Sequence, residues 1–189
     1  YIGVMLPYAP LQLLLFSYND GLHMPDLLVM TSANQSGMPI CRTDEEVRTD
    51  LPGLCDLILS HDRNILLRVD DSVVTLFEEE PYMIRRSRGY APLPIYVNGD
   101  FHGTVLSAGG ELKNTVCLAK DNLFYLSPHI GDVGCVQTET AQHECAERLQ
   151  DLLEITPQCG AADIHPAYES SQLVKQAQIP VISVQHHYA

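Results

Sequence analysis

The second half of the chain alternates strand-like and helix-like segments in an order that few folds share. The segments are, in chain order, strands at 104–108, 115–119 and 123–126, a helix over 138–154, a strand at 161–164, a helix from Pro166 to about 178 and a strand at 181–184. The first three predict an antiparallel meander, because short apolar and β-branched runs are separated by turn residues. The last three predict a β-α-β unit. This half is therefore expected to be an α/β domain.

The first turn of the meander is rich in glycine. A β-β-β-α-β-α-β order with such a turn resembles the opening of an actin-like ATPase fold, in which the first hairpin turn contacts nucleotide phosphates. Gly109 and Gly110 would let the backbone approach an anion closely, and Lys113 would meet a phosphate. An ordinary hairpin turn with an exposed lysine is the alternative.

The first half has a different α/β pattern. The sequence predicts a helix at 11–18 and a helix at 44–51, with Thr43 as the N-cap and Glu46 completing a capping box. Strands are predicted at 1–5, 27–30, 57–60, 65–69, 72–77 and 82–85, and the last of them pair antiparallel. Prolines and an Asn-Gly-Asp turn at 92–100 indicate a linker. We therefore place one domain at 1–98 and a second at 99–189.

A loop of small polar residues follows the apolar run 27–30. It contains Ser32, Asn34 and Ser36 together with Gly37. Hydroxyl, amide and backbone N–H groups with nothing bulky beside them suit an anion, so the loop is a candidate phosphate site. A simple turn has the same composition.

Charged residues collect near the end of the first domain. Arg85, Arg86 and Arg88 are candidates for a phosphate clamp, because guanidinium groups match phosphate oxygens. Strand alternation places Arg85 and Arg86 on opposite faces, so they are not expected to reach one ligand together. Asp70 and Asp71 would orient these arginines or assist a metal; a solvated turn is the other interpretation.

The overall composition limits the possible partners. The net charge is -13 at pH 7, which disfavours DNA and other duplex nucleic acid. The six cysteines form no CxxC pair, and no apolar run approaches membrane-spanning length. These features predict reduced thiols, no membrane partner and a cytoplasmic location.

Several motifs taken together resemble one family. They are LPYAP at 6–10, VMTSANQSGMPI at 29–40, HDR at 61–63, DDSV at 70–73, RRSRGYAP at 85–92, AGGELKNT at 108–115, SPHIGD at 127–132, DIHP at 163–166 and VQHHYA at 184–189. Their order is similar to that of the HypF family, the carbamoyltransferases of [NiFe]-hydrogenase maturation. The implied fold is the C-terminal half of a YrdC-like domain, whose fold is double-stranded RNA-binding-like, followed by the start of an actin-like transferase domain.

The resemblance implies a sequence of reactions. Carbamoyl phosphate gives carbamate, the YrdC-like domain joins carbamate to ATP with Mg²⁺, and pyrophosphate leaves. The actin-like domain then passes the carbamoyl group to the C-terminal cysteine of the partner HypE. By this resemblance Ser32 and Asn34 hold the nucleotide, while His129 and Asp132 line the transfer site. A helix-capping loop is the other interpretation of His129 and Asp132.

The resemblance also implies a metal in the complete transferase domain, Zn²⁺ or Fe. The family has an HHxAH-type run, and His186 occupies its first position. The second histidine would fall just beyond Ala189, so we expect this piece to bind no metal tightly. Asp163 and His165 lie at a predicted strand end, where α/β sheets gather ligand groups; a buried, hydrogen-bonded histidine is the alternative. Neither terminus resembles a natural domain end, so an internal piece of a longer protein is expected.

Two other functions remain open. The tRNA threonylcarbamoyl-adenosine pathway uses the same two domain types, although its bacterial proteins keep them separate and the acidic charge disfavours tRNA. A nucleotide-binding or docking module without activity is the third interpretation.

Overall fold

A computed structural model describes residues 2–188. Its elements are α1 (Pro10–Ser17), α2 (Asp44–Asp50), β1 (Val73–Phe77), β2 (Glu80–Arg85), β3 (Pro94–Tyr96), β4 (Thr104–Ser107), β5 (Cys117–Lys120), β6 (Leu123–Leu126), α3 (Val136–Leu153), β7 (Cys159–Asp163), a 3₁₀ turn (Glu169–Ser171), α4 (Gln172–Lys175) and β8 (Val181–Val184). Contacts divide the chain into two compact units, one up to Ser32 and one from Ala33 onward. No described helix is long and apolar enough to cross a membrane.

The first unit contains α1 and little other regular structure. The side chain of Gln12 accepts hydrogen bonds from the backbone N–H groups of Tyr8 and Ala9, which organises the start of the helix. The predicted strand at 27–30 is wrong, and residues 2–5 of the predicted first strand are not a strand either; Tyr1 lies outside the described residues. Leu27 and Val29 are exposed, and an apolar run forms a strand only where a neighbour completes its hydrogen bonds.

A six-stranded sheet dominates the second unit, in the order β3-β6-β5-β4-β7-β8. The predicted meander is confirmed: β4, β5 and β6 pair antiparallel. The predicted β-α-β unit is also confirmed, since β7 pairs parallel with β8 and also with β4. The linker prediction is wrong at 94–96, because β3 pairs with β6 and extends this sheet.

Helix α3 and the short α4 cover the sheet. Leu106, Val116, Leu118, Leu149 and Val174 form the centre of a buried apolar cluster, and each is at most 3% exposed. Helix α3 begins at Val136, with Cys135 as its N-cap, two residues before the predicted start. The helix predicted from Pro166 to about 178 is shorter: a 3₁₀ turn precedes the single turn of α4.

The chain between Ala33 and β3 contains α2 and the two-stranded sheet β1-β2. The predicted strands at 57–60 and 65–69 are wrong, and they have no regular structure. Thr43 caps α2 as predicted, since its hydroxyl accepts from the N–H of Glu46. The other half of the capping box differs, because the Glu46 carboxylate accepts from the N–H of Arg42 instead of Thr43.

Candidate functional site

The small-residue loop is a turn held by its own amide group. Ser32 is exposed at the end of the first unit. In the second unit, the Asn34 side-chain amide donates to the carbonyls of Gln35 and Met38, at 2.9 and 3.0 Å. Gly37 has φ +79°, which an L side chain would strain. The loop therefore has a defined shape, and Ser36 is exposed on it.

The structure places the predicted aspartates against the predicted arginines. A guanidinium nitrogen of Arg85 lies 2.8 Å from a carboxylate oxygen of Asp70, and Nε of Arg85 donates to the backbone carbonyl of Asp71 at 2.7 Å. Nε of Arg88 lies 3.3 Å from the carboxylate of Asp71. The backbone N–H of Arg88 donates to the carbonyl of Asp70. Of the interpretations left open for Asp70 and Asp71, this geometry fits the orientation of arginines.

Arg86 differs from its neighbours. One terminal nitrogen donates to the carbonyl of Leu93 at 3.0 Å, but the other, Nη1, is buried and has no hydrogen-bond partner among the described residues. The hydroxyl of the next residue, Ser87, is also buried without a partner. Leaving a charged donor unsatisfied costs more than leaving a neutral one, so Nη1 of Arg86 is a candidate to bind an acceptor outside the described residues. Arg85 and Arg86 have different partners, as strand alternation predicts.

The glycine-rich turn after β4 is folded around a buried amide. The Asn114 side chain donates to the carbonyls of Ala108 and Gly110, at 2.8 and 2.6 Å, and is itself 1% exposed. Gln142 on α3 donates to the same Ala108 carbonyl at 3.0 Å. Gly109 has φ +70°, and a Cβ there would collide with the Thr115 carbonyl oxygen. The turn is therefore a rigid, specified structure.

The loop after β6 is joined to this turn. Asn114 and Gly131 form a β-bridge, and the backbone N–H of Lys113 donates to the carboxylate of Asp132 at 2.8 Å. These bonds bring Gly109, Gly110 and Lys113 beside the loop that carries His129 and Asp132. The two groups of residues that the sequence assigned to the second domain therefore form one cluster.

His129 connects this cluster to the arginines. Burial lowers the pKa of His129 most, and the Arg85 guanidinium lowers it further. The carboxylates of Asp70 and Asp132 raise the pKa of His129, and the ammonium group of Lys113 lowers it. Residues predicted from both domains thus share one electrostatic environment, which favours the neutral imidazole.

A second cluster lies at the carboxyl end of β7. The Asp163 carboxylate accepts from the N–H groups of His165 and His186 and lies 2.7 Å from Nδ1 of His186. Burial raises the pKa of Asp163, but these hydrogen bonds outweigh it and hold the pKa below its ordinary value. Because β4, β7 and β8 are parallel, this cluster and the glycine-rich turn lie at the same edge of the sheet.

The described residues do not by themselves fit a metal ion. Between residues 2 and 188, no group of three or more His, Cys, Asp or Glu side chains could hold one. His186 is instead bonded to Asp163, and its ring lies 3.9 Å from that of His187, tilted by 39°. Its role as a metal ligand stays a prediction, and we derive no chemical step through a metal.

Sequence reasoning missed several residues that shape these clusters. Asn114 and Glu111 lie within a quoted motif, so the motif could have identified them; Glu111 accepts from the N–H of Ser170. The ring of Tyr168 stacks on His165 at 4.3 Å. Gln142 carries no signal in the sequence beyond its place on a helix.

Family models match both halves of the chain. A model described as "Telomere recombination", the Sua5/YciO/YrdC family, matches residues 1–87. A model described as "HypF Kae1-like domain" matches residues 100–189. The boundary at residue 98 stays a prediction.

Curated relatives and solved structures agree with these models. Carbamoyltransferase HypF2 of Cupriavidus necator is 43% identical over the whole chain, and carbamoyltransferase HypF of Synechocystis is 42% identical. The chain spans about a quarter of the length of these relatives, 25% and 24%.

A crystal structure of full-length HypF in its phosphate- and nucleotide-bound form superposes with a TM-score of 0.77 at 38% identity. HypF of T. kodakarensis also superposes with a TM-score of 0.77, at 36% identity. Each match covers 84% of this chain, and 25% and 21% of the respective solved chains. These findings confirm both the predicted α/β fold class and the predicted resemblance. The chain belongs to the HypF family, in the region where a YrdC-like domain is followed by a Kae1-like domain.

Proposed function

We propose that the protein containing this chain is a carbamoyltransferase that adenylates carbamate and passes the carbamoyl group to a cysteine of HypE. Water converts carbamoyl phosphate to carbamate and phosphate. A carbamate oxygen attacks the α-phosphorus of ATP, supplied with Mg²⁺, and the bond to pyrophosphate breaks. The HypE thiolate then attacks the carbamoyl carbon, and AMP leaves with the electrons of the C–O bond.

The observation that carries this proposal is the buried nitrogen of Arg86 without a hydrogen-bond partner. Arg85 and Arg88, one residue before and two residues after it in the chain, are held in place by Asp70 and Asp71. A phosphate group would supply the acceptor that the described residues do not, and it would also offset the positive charge of Arg86. We assign Arg86 to a direct contact with the phosphates of ATP, at the pyrophosphate leaving group. Arg85 and Arg88 form the supporting part of the clamp, because Asp70 and Asp71 already pair with them.

The glycine-rich turn is the proposed contact for the adenylate in the transfer step. Gly109 and Gly110 would approach the phosphate through backbone groups, and Lys113 would neutralise it. A neutral His129 would accept the proton of the incoming thiol, which the lowered pKa of its imidazole favours. Asp132 orients the turn through the N–H of Lys113.

The relatives support this assignment, since those of Cupriavidus necator and Synechocystis are named carbamoyltransferases. A solved HypF contains phosphate and nucleotide. Ser32, Asn34 and Ser36 are proposed nucleotide contacts on the strength of the sequence motif. All six cysteines are free, which is compatible with the proposed cytoplasmic location.

The test is ATP–pyrophosphate exchange in the full-length protein, with and without carbamoyl phosphate. We expect exchange that depends on carbamoyl phosphate and falls by roughly 100-fold or more in Arg86→Ala, the scale for removing one charge-stabilising donor. Ser32→Ala and Asn34→Ala should also reduce it. Arg48→Ala is the control, because Arg48 is exposed and pairs with Asp44 on α2, away from the arginine cluster.

Each other outcome favours a different function. Exchange that requires threonine and bicarbonate instead of carbamoyl phosphate would favour the tRNA threonylcarbamoyl pathway. No exchange with either set of substrates would contradict adenylation and favour a docking module.

A further inference from the structure

Four charged side chains join the loop-rich region, residues 33–93, to helix α3 of the sheet region, residues 94–188. Arg42 binds Glu144 through both carboxylate oxygens, at 3.0 and 3.1 Å. Arg68 reaches the same Glu144 carboxylate at 3.1 Å and the Glu46 carboxylate at 2.9 Å. We call Arg42, Glu46, Arg68 and Glu144 the Glu144 network.

The network is well placed to fix the two regions relative to each other. Among the described residues of the loop-rich region, Leu51 is the single buried apolar side chain. Apolar packing therefore does little to fix the position of the loop-rich region against α3. A two-pronged Arg–carboxylate pair is directional, because both N–H···O bonds must align. The side chains of Arg42 and Glu144 are 23% and 33% exposed, so the pair is partly shielded from water.

Arg68 connects this contact to the proposed phosphate clamp, which consists of Arg85, Arg86 and Arg88. Its Nε donates to the carbonyl of Ile40 at 2.8 Å, so all three guanidinium nitrogens are bonded. The next three residues hold the clamp: a terminal nitrogen of Arg88 donates to the carbonyl of Val69 at 3.0 Å. Asp70 and Asp71 pair with Arg85 and Arg88.

We propose that Glu144 is a positioning residue that holds the arginine clamp of the loop-rich region against the His129 cluster of the sheet region. The proposal rests on the proposed function. Glu144 touches no proposed substrate contact. Its loss leaves Arg68 bonded to Glu46 and Ile40, so the clamp keeps its own structure but loses the ion pairs that tie it to α3 through Arg42 and Arg68. As a consequence, adenylate formation and carbamoyl transfer are uncoupled, and the adenylate is lost to the solvent before transfer.

The experiment measures AMP formed per carbamoyl group delivered to HypE by the full-length protein. Glu144→Gln and Arg42→Gln should retain ATP–pyrophosphate exchange, while this ratio rises by up to about 100-fold, the scale expected for a misplacement of about 1 Å. Glu147→Gln is the matched control, because Glu147 is exposed one turn along the same helix. Its ratio should equal that of the wild type.

Salt provides a second readout that a merely structural role would not move. Added KCl should raise the wild-type ratio by screening the network, while the ratio of Glu144→Gln, already high, should stay constant. An unchanged ratio in Glu144→Gln overturns the proposal. If that variant fails to fold, a wild-type ratio that does not respond to salt overturns it. Absence of exchange in the wild type itself is a different failure, because it removes the proposed function first.

Discussion

The loop-rich region and the sheet region are stabilised in different ways. In the sheet region, Leu118 and Val116 are fully buried and the β-strands form a continuous six-stranded sheet. The loop-rich region has one two-stranded sheet, one short helix and mostly exposed apolar side chains, with arginine–carboxylate pairs in place of a core. Burial is insensitive to salt and tolerates small shifts, whereas ion pairs are directional and screened. The sheet region should therefore act as a scaffold, and the loop-rich region as a part whose placement depends on specific partners.

The largest effect should come from the core of the sheet region. Leu118→Ala should lower the free energy of unfolding by about 3 kcal/mol, because a large buried side chain leaves a cavity. Leu76→Ala on β1 should change it by less than about 0.5 kcal/mol, since Leu76 is 72% exposed. Hydrogen–deuterium exchange of peptides from both regions measures the two effects separately. Equal effects of the two substitutions would remove the contrast between the regions.

A smaller loss should follow from the buried amide of the glycine-rich turn. Asn114→Ala should cost about 2 kcal/mol, because the partly buried carbonyl of Gly110 loses its donor and the buried Gln142 amide loses an acceptor. It should also increase hydrogen exchange at 109–113. Asn122→Ala is the comparison, since its amide bonds are exposed to solvent. A loss in Asn122→Ala as large as that in Asn114→Ala would contradict the role of burial.

The loop-rich region should respond to salt where the sheet region does not. Arg68→Gln should cost about 1 kcal/mol at low salt, because the partly buried carboxylates of Glu46 and Glu144 each lose one ion-pair partner, while Arg42 stays bonded to Glu144. Arg48→Gln on the same region should cost less than about 0.5 kcal/mol, as its pair with Asp44 is exposed. Urea midpoints at low and high KCl measure both. A cost of Arg68→Gln that is identical at both salt concentrations would contradict an ionic origin.

The same contrast explains how much could be predicted. In the sheet region, local patterns agree with the fold: the meander, the β-α-β unit and α3 were all predicted, because their apolar residues face a core within the region. Strand β3 was missed because two prolines near it read as a linker, although an edge strand tolerates proline at its start.

In the loop-rich region the predicted strands at 57–60 and 65–69 are irregular, since apolar composition alone supplies no pairing partner. For the candidate site, motifs identified the arginines, aspartates and glycines that the structure brings into two adjoining clusters. The Glu144 network could not be predicted, because it joins Arg42 and Glu144 across 102 residues. No local period or motif reports such a contact.

The smallest expected effect tests whether the two regions meet at His129. Arg85→Gln should raise the pKa of His129, because it removes the guanidinium that lowers this pKa and leaves Asp70, which raises it. NMR titration of the His129 ring measures the change, and Arg48→Gln should leave the titration unaltered.

The lowered pKa of His129 should also make the free energy of unfolding depend on pH. Burial and Arg85 hold the folded pKa of His129 below its ordinary value of 6.5, so the unfolded chain binds the proton more readily. The contribution of His129 to the free energy of unfolding is therefore fully present above about pH 6.5. It is lost as the pH falls toward the folded pKa. In Arg85→Gln this loss should be smaller, and in His129→Gln it should vanish. An identical His129 titration in the wild type and in Arg85→Gln would show that Arg85 has no electrostatic effect on His129. The arginine clamp and the His129 cluster would then not form one site.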